Sequence, residues 1–240
     1  MDLRVNGEGS PLLLLLHGLG ATGDVWSGWA PLLAERWPGR WLAPDLPGHG
    51  RSAALPEYTF DALAAAVAPA GPAVVLGHSL GGVVALALAA RTPVNAVIGL
   101  GSKVTWSDDE LGRARALAER PVTWFGTREE AIARHLRVSG LAGLLAEDDP
   151  AVRHGVREEG GRWRLALDPR AFAVGAPDMA ALIAASPAPV TLARGEHDPM
   201  NTGEQLAELG VPAVTLPGLG HNAHVESPER CLELITAAAR

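Results

Sequence analysis

Six short apolar runs punctuate the chain, and each stops at a Gly, Pro, Asp, Ser or Arg cluster. They are Leu12–Leu16 before HG, Trp41–Ala43 before PD, Ala73–Leu76 before GHS, Ala96–Leu100 before GS, Val190–Ala193 before RGEHD, and Ala213–Leu216 before PGLGH. None alternates apolar with polar, so each predicts a strand covered on both faces, as in a parallel sheet. Helical spacing fills the gaps, at Trp29–Arg36, Phe60–Val67 and Gly82–Arg91. The last is almost wholly Ala, Leu and Val, which predicts a helix packed deep against the sheet. Strands alternating with helices predict an α/β fold with a mostly parallel, doubly wound sheet. Ligands of such sheets bind at the carboxyl ends of the strands, where the polar clusters fall.

One segment breaks the rhythm. From Lys103 to Ala185 no buried strand is evident, and helical patterns appear at Asp108–Ala118, Thr127–Val138 and Met179–Ala185. A crossover between parallel strands needs only about a dozen residues. The excess predicts a helical cap inserted over the carboxyl edge of the sheet, before the strand that leads to Asp198. The expected division is a core of residues 1–102 and 186–240 and a cap or lid of residues 103–185.

Composition narrows the class. The 240 residues are 48% hydrophobic and carry a formal net charge of −7, with a sequence pI near 5.6. The length suits one α/β domain, and the acidic balance excludes nucleic acid as a main partner. Cys231 is the single cysteine, so no intramolecular disulfide or cysteine-based metal site is available. The five leucines at 12–16 are too few for a signal-peptide core, and no run approaches the ~20 apolar residues of a membrane span. The expectation is a cytoplasmic protein with no membrane partner. Lys103 is the only lysine.

Chemistry enters at VVLGHSLGGVV, residues 74–84, where a strand passes into a helix. Gly77-His78-Ser79-Leu80-Gly81 fits G-x-S-x-G, a tight turn that lifts a serine hydroxyl out of the sheet with φ expected positive. A helix N-cap serine would fit the same five residues. A hydroxyl nucleophile needs a base, and the base needs an orienting acid. Asp198 and His221 each lie just past a predicted strand, so their loops open on the same edge as Ser79. His224 is an alternative base, but His221 follows Gly220 directly after its strand. Asp108 and Asp109 are alternative acids, although their position suits the first turn of a helix. His17, Asp45 and His49 are expected to be scaffold, and the lone group Glu196-His197-Asp198 lacks a second ligand set for a metal.

Five motifs in order, HGLGATGDVW at 17–26, DLPGHGRS at 45–52, GHSLGG at 77–82, GEHD at 195–198 and GHNAHVESPE at 220–229, resemble the α/β-hydrolase superfamily. The likeness runs from about residue 3 to 235 and points to its serine carboxylesterases and related small-molecule hydrolases. Members with an aspartate at the elbow, dehalogenases and epoxide hydrolases, are excluded by Ser79. The resemblance implies an oxyanion hole built from the backbone amides of Leu19 and Leu80. It also implies an opening antiparallel edge, for which only about ten residues are present, enough for one short strand near Leu3–Val5.

The expected protein is therefore a serine hydrolase that cleaves a small-molecule carboxylic ester through an acyl-enzyme, with Ser79, Asp198 and His221 catalytic. Carbon–carbon bond hydrolases, lactonases and perhydrolases use the same triad and stand as alternatives. A non-catalytic ligand-binding protein on this fold is a remoter one. No cofactor and no metal are expected, and the state is a monomer or homodimer. Trp106, Trp124 and Met200 are the expected substrate-binding residues. Trp26 and Trp29 are expected to pack under the oxyanion loop, and Cys231 to be buried and inert.

Overall fold

The structure, a computed structural model, describes residues 3–6 and 9–238. Strands β1 (Leu3–Asn6), β2 (Leu12–Leu16), β3 (Trp41–Pro44), β4 (Ala73–His78) and β5 (Ala96–Leu100) alternate with helices α1 (Ala30–Arg36), α2 (Phe60–Val67) and α3 (Leu80–Ala89). Next come α4 (Asp108–Ala118), α5 (Arg128–Ser139), α6 (Pro150–Arg153), the pair β6 (Val156–Glu159) and β7 (Arg162–Leu165), and α7 (Met179–Ala185). The chain then closes with β8 (Val190–Gly195), α8 (Gly203–Ala207), β9 (Ala213–Leu216), α9 (Ala223–Glu226) and α10 (Pro228–Ala238). The main sheet runs β1-β3-β2-β4-β5-β8-β9, and every pairing is parallel except β1 with β3. All six strands read from the apolar runs are present, and the short antiparallel edge strand is β1.

The five leucines of β2 explain why those runs do not alternate. Leu12, Leu14 and Leu16 join a core on one face with α2, α3 and α7. Leu13 and Leu15 join the core on the other, with Trp26, Trp29, Leu33, Leu232 and Ile235. Successive side chains of a strand point to opposite faces, so a strand with helices on both sides needs apolar residues throughout. Helix α3 is buried at all ten positions, the depth its composition predicted. Cys231 is fully buried in the second core, and burial pushes its thiol up to about 12.

Between β5 and β8 the chain is not purely helical. The antiparallel β6–β7 pair lies against α5, and Phe125 extends it by a bridge to Trp163. These strands escaped the sequence reading because they are short and charged, VREE and RWRL, with little buried surface. Helices α4 and α5 each begin with a reciprocal capping box, Ser107 with Glu110 and Thr127 with Glu130. Such a box satisfies two otherwise orphaned amides. Helix α4 buries no residue fully; it lies on the short 3₁₀ turn Pro169–Ala173. Helix α6 packs on the 3₁₀ turn Gly23–Trp29 of the core.

Candidate active site

Ser79 sits where β4 ends and α3 begins, with φ 52° and ψ −116°. It is the one non-glycine residue with positive φ among the described residues. That conformation costs of order 1–3 kcal/mol and persists only where the surroundings impose it. Here they do. The Ser79 amide donates to the Leu100 carbonyl at 2.8 Å, and the Ser102 hydroxyl donates to the Ser79 carbonyl at 3.1 Å. A Cβ on Gly77 would lie 2.1 Å from the Gly81 carbonyl oxygen, and one on Gly81 2.4 Å from that of Leu16. Both glycines are demanded by contact, so the elbow is a close crossing of three backbones. Ser79 makes no side-chain cap to α3, which removes the N-cap reading.

Asp198 and His221 come together from the loops after β8 and β9. The His221 Nδ1 lies 3.1 Å from Asp198 Oδ1, which also accepts the Met200 amide at 2.9 Å. Asp198 is buried and the His221 side chain is 18% exposed. A carboxylate only accepts, so Nδ1 is the donor in this contact. Two asparagines fix these loops. Asn201 accepts the Val104 amide at 2.8 Å and donates to the Ser102 carbonyl at 2.7 Å, joining the acid loop to the exit of β5. Asn222 donates to the Gly140 carbonyl at 2.9 Å, joining the base loop to the end of α5.

Three further imidazoles support the site. His17 accepts the Leu46 amide at Nε2 and donates from Nδ1 to the Gly18 carbonyl, both at 2.8 Å. His78 is buried and donates from Nε2 to the His221 carbonyl at 2.9 Å. Its ring lies 4.7 Å from that of His221 and 4.1 Å from that of His224. Desolvation, reinforced by His224 and His221 nearby, holds His78 well below the usual histidine range; burial also lowers His224, to about 3. Both rings are therefore neutral. The alternative base His224 is 1% exposed and stacks on Trp26, away from solvent. The alternative acids Asp108 and Asp109 lie exposed in the first turn of α4.

Ser79 opens into a cavity of about 520 Å³, walled by Leu19, Leu80 and Val83 of the core, by Trp106 and α4, and by the stretch 172–177. Leu19 and Leu80, whose amides were expected to hold an oxyanion, border it. Neither amide donates to another backbone group among the described residues. Trp106 and Met200 line the same cavity and a second of about 510 Å³ that reaches Asp198. Trp124 is elsewhere: its ring lies 4.9 Å from the Arg162 guanidinium and 5.8 Å from that of Arg164, beside the hairpin. The expectation that it lines the cavity is corrected on that ground. Trp26 and Trp29 are buried in the second core, and Trp29 donates to the His224 carbonyl. No group of three or more His, Cys, Asp or Glu able to hold a metal occurs among the described residues, and no described helix is long and apolar enough to cross a membrane.

The profile of the alpha/beta hydrolase family matches residues 13–234. The chain belongs to this family. Among its curated relatives, the magnesium-chelatase 30 kDa subunit of Rhodobacter capsulatus is 38% identical over 54% of this chain and 51% of its own length. Several of the first relatives are matched over only part of their length; the pimeloyl-[acyl-carrier protein] methyl ester esterase of Methylococcus capsulatus is matched over 35%. That of Chromobacterium violaceum is 33% identical over 84% of this chain and 82% of its own, and an esterase of Mycobacterium tuberculosis 30% over 95% and 83%. Among solved alpha/beta hydrolases, E-2-(acetamidomethylene)succinate hydrolase superposes with a TM-score of 0.78 at 25% identity, covering 98% of this chain and 94% of that one. Reading the sequence alone missed His78, Asn201 and Asn222 as supports. Only their closeness in sequence to Ser79, Asp198 and His221 could have drawn attention to them.

Proposed function

We propose that this alpha/beta hydrolase is a serine esterase acting on small carboxylic esters. The observation that carries the reading is the hydrogen-bonded Asp198–His221 pair on the strand edge that also bears the strained Ser79. Ser79 attacks the ester carbonyl, and Nε2 of His221 takes its proton. Asp198 holds the Nδ1–H and stabilises the imidazolium. The Leu19 and Leu80 amides receive the oxyanion; losing one such donor typically costs roughly 3–4 kcal/mol of transition-state stabilisation. His221 then protonates the leaving alcohol, and water releases the acyl group. Residues 103–185 act as a cap that shapes the substrate cavity. Its volume falls in the ~300–1,000 Å³ range of small-molecule sites, and its apolar walls suit an uncharged acyl or alcohol chain. Esterase names among relatives that align over most of their length support the reading.

The test pairs a fluorophosphonate probe with a panel of p-nitrophenyl esters of graded acyl length. Wild type should be labelled at Ser79 and turn over the panel, and Ser79→Ala should lose both. An intact protein that neither labels nor turns over esters refutes the proposal. Faster turnover of lactones or of vinylogous diketones would move the activity to those bonds.

A further inference from the structure

His78 has no part in the proposed mechanism, yet it contacts His221, His224 and the loop of Gly18. It precedes Ser79 in the chain. Its Nε2–H reaches across 143 residues of sequence to the His221 carbonyl at 2.9 Å. Its ring backs the His221 ring at 4.7 Å with an interplanar angle of 55°. On its far side it meets His224 at 4.1 Å, and His224 meets Trp26 at 4.6 Å. Trp29 closes the column, with its ring 5.1 Å from Trp26 and its Nε1–H on the His224 carbonyl at 2.8 Å. A third loop also fits around His78: a Cβ on Gly18 would come 2.8 Å from its Nδ1 and 3.3 Å from the Ser79 Cβ. The imidazole therefore fills the point where the elbow, the HG loop and the base loop converge.

We propose that His78 is a positioning residue for His221, fixing that residue's backbone through its hydrogen bond to the His221 carbonyl. The inference rests on the reading of His221 as the base. Its physical content is specific. The Asp198 contact fixes Nδ1 of His221 alone, which leaves the ring free to pivot about that bond. Anchoring the His221 carbonyl restrains that pivot. Neutrality is part of the fit. A protonated ring at 4.7 Å would oppose the imidazolium that His221 becomes in each turnover, whereas desolvation keeps His78 uncharged.

Two substitutions separate the bond from the ring. His78→Gln keeps a donor of similar reach, and His78→Phe keeps a ring with no donor. The first readout needs no turnover: the far-downfield proton signal of His221 Nδ1–H on Asp198, and the His221 titration midpoint followed by NMR. Both should match wild type in His78→Gln and be broadened or shifted in His78→Phe. In ester assays, His78→Phe should lower kcat by about tenfold to a hundredfold, the scale of a misplaced catalytic group. KM should stay within about twofold, because the cavity is untouched, and His78→Gln should recover most of kcat. In a His221→Ala background the Phe substitution should lower the residual rate no further. Unchanged NMR signals and kcat in His78→Phe overturn the proposal, as does an equal loss in both backgrounds or an equal loss for Gln and Phe. If wild type turns over no ester while the NMR signals respond as expected, the esterase reading falls and the positioning role stands.

Discussion

At the residue scale, the site is defined as much by what has no side chain as by what has one. Gly101 follows β5 with φ +64°, and its amide donates to the Ala193 carbonyl at 2.7 Å. A Cβ there would stand 3.1 Å from Asp198 Oδ2 and 3.2 Å from His221 Nδ1. Gly101→Ala should thus disturb the acid–base pair from behind while costing ~1–2 kcal/mol for the left-handed backbone. The expected result is a drop in kcat of roughly tenfold or more with a small fall in Tm, read by ester kinetics and thermal melting side by side. Asp198, His221 and Ser79 were singled out from sequence because each lies just past an apolar run, and the structure brings the Asp198 and His221 side chains into contact. Gly101 carried the same mark, GS after AVIGL, but a glycine after a strand is read first as a turn. Trp124 was misjudged for a related reason: an aromatic outside the core strands has no periodic signal, and its partners, Arg162 and Arg164, lie on a hairpin that the sequence did not announce.

Among elements, α4 is the least secured. It contributes Leu111, Ala114 and Leu117 to the cavity wall, yet buries nothing fully. Glu110 does two jobs in its first turn. One carboxylate oxygen accepts the Ser107 amide at 2.9 Å and the other pairs with Lys103 at 2.8 Å. Lys103 and Ser107, in that order of effect, lower the Glu110 carboxyl to about 2. The sign follows from linkage: a depressed folded value stabilises the folded helix above the ordinary carboxylate range, and that support is lost as pH falls toward 2. Protection factors of the α4 amides, with the intrinsic pH dependence of exchange divided out, should fall between about pH 4.5 and pH 2, earlier than in α3, and Glu110→Gln should remove that pH dependence. An α4 whose exchange tracks the core at every pH would rule this out. The inner strands β2, β4 and β5 were legible because both faces are dry, whereas the edge strand β9, expected to be covered on both faces, is exposed at Ala213 and Thr215; α4 was legible as a helical pattern over Asp108–Ala118 with its carboxylates in the first turn. The short α6, α8 and α9, of four or five residues, were not, since one turn of helix shows no period.

The whole molecule depends on loops that hold each other at the carboxyl edge. Asp45, fully buried at the end of β3, accepts the Gly23 amide at 2.7 Å and the Arg51 amide at 3.0 Å, and its carbonyl accepts the Ser52 hydroxyl. Gly50 passes so close that a Cβ there would lie 2.3 Å from its carboxylate. Removing the carboxylate leaves the buried Gly23 amide unsatisfied, at about 1–3 kcal/mol, and takes an acceptor from the half-buried Arg51 amide at a smaller cost. Asp45→Ala should lower Tm by several degrees, on the order of 2–4 °C per kcal/mol for a chain of this size, while Asp45→Asn should recover part of the loss. A melt indistinguishable from wild type would show that these loops are held by other means.

The segment between β5 and β8 is attached very unequally. Its α5 end is tied to the loop of His221 through Gly140 and Asn222, and Val138 stands where a Cβ on Gly20 would fall, 2.8 Å away. Among the described residues, helix α4 makes no hydrogen bond to the His221 loop or to Gly20, and the stretch leading into it is tied instead to the acid loop through Val104 and Asn201. The cavity wall and the support of the His221 loop thus lie on different helices of this stretch. Grafting a foreign α4 should change which esters fit, read as a shifted acyl-length profile, whereas replacing α5 should disturb the loop of His221 and lower kcat across the panel. A foreign α4 must therefore keep the backbone of Val104 within reach of Asn201 if the acid loop is to hold its place.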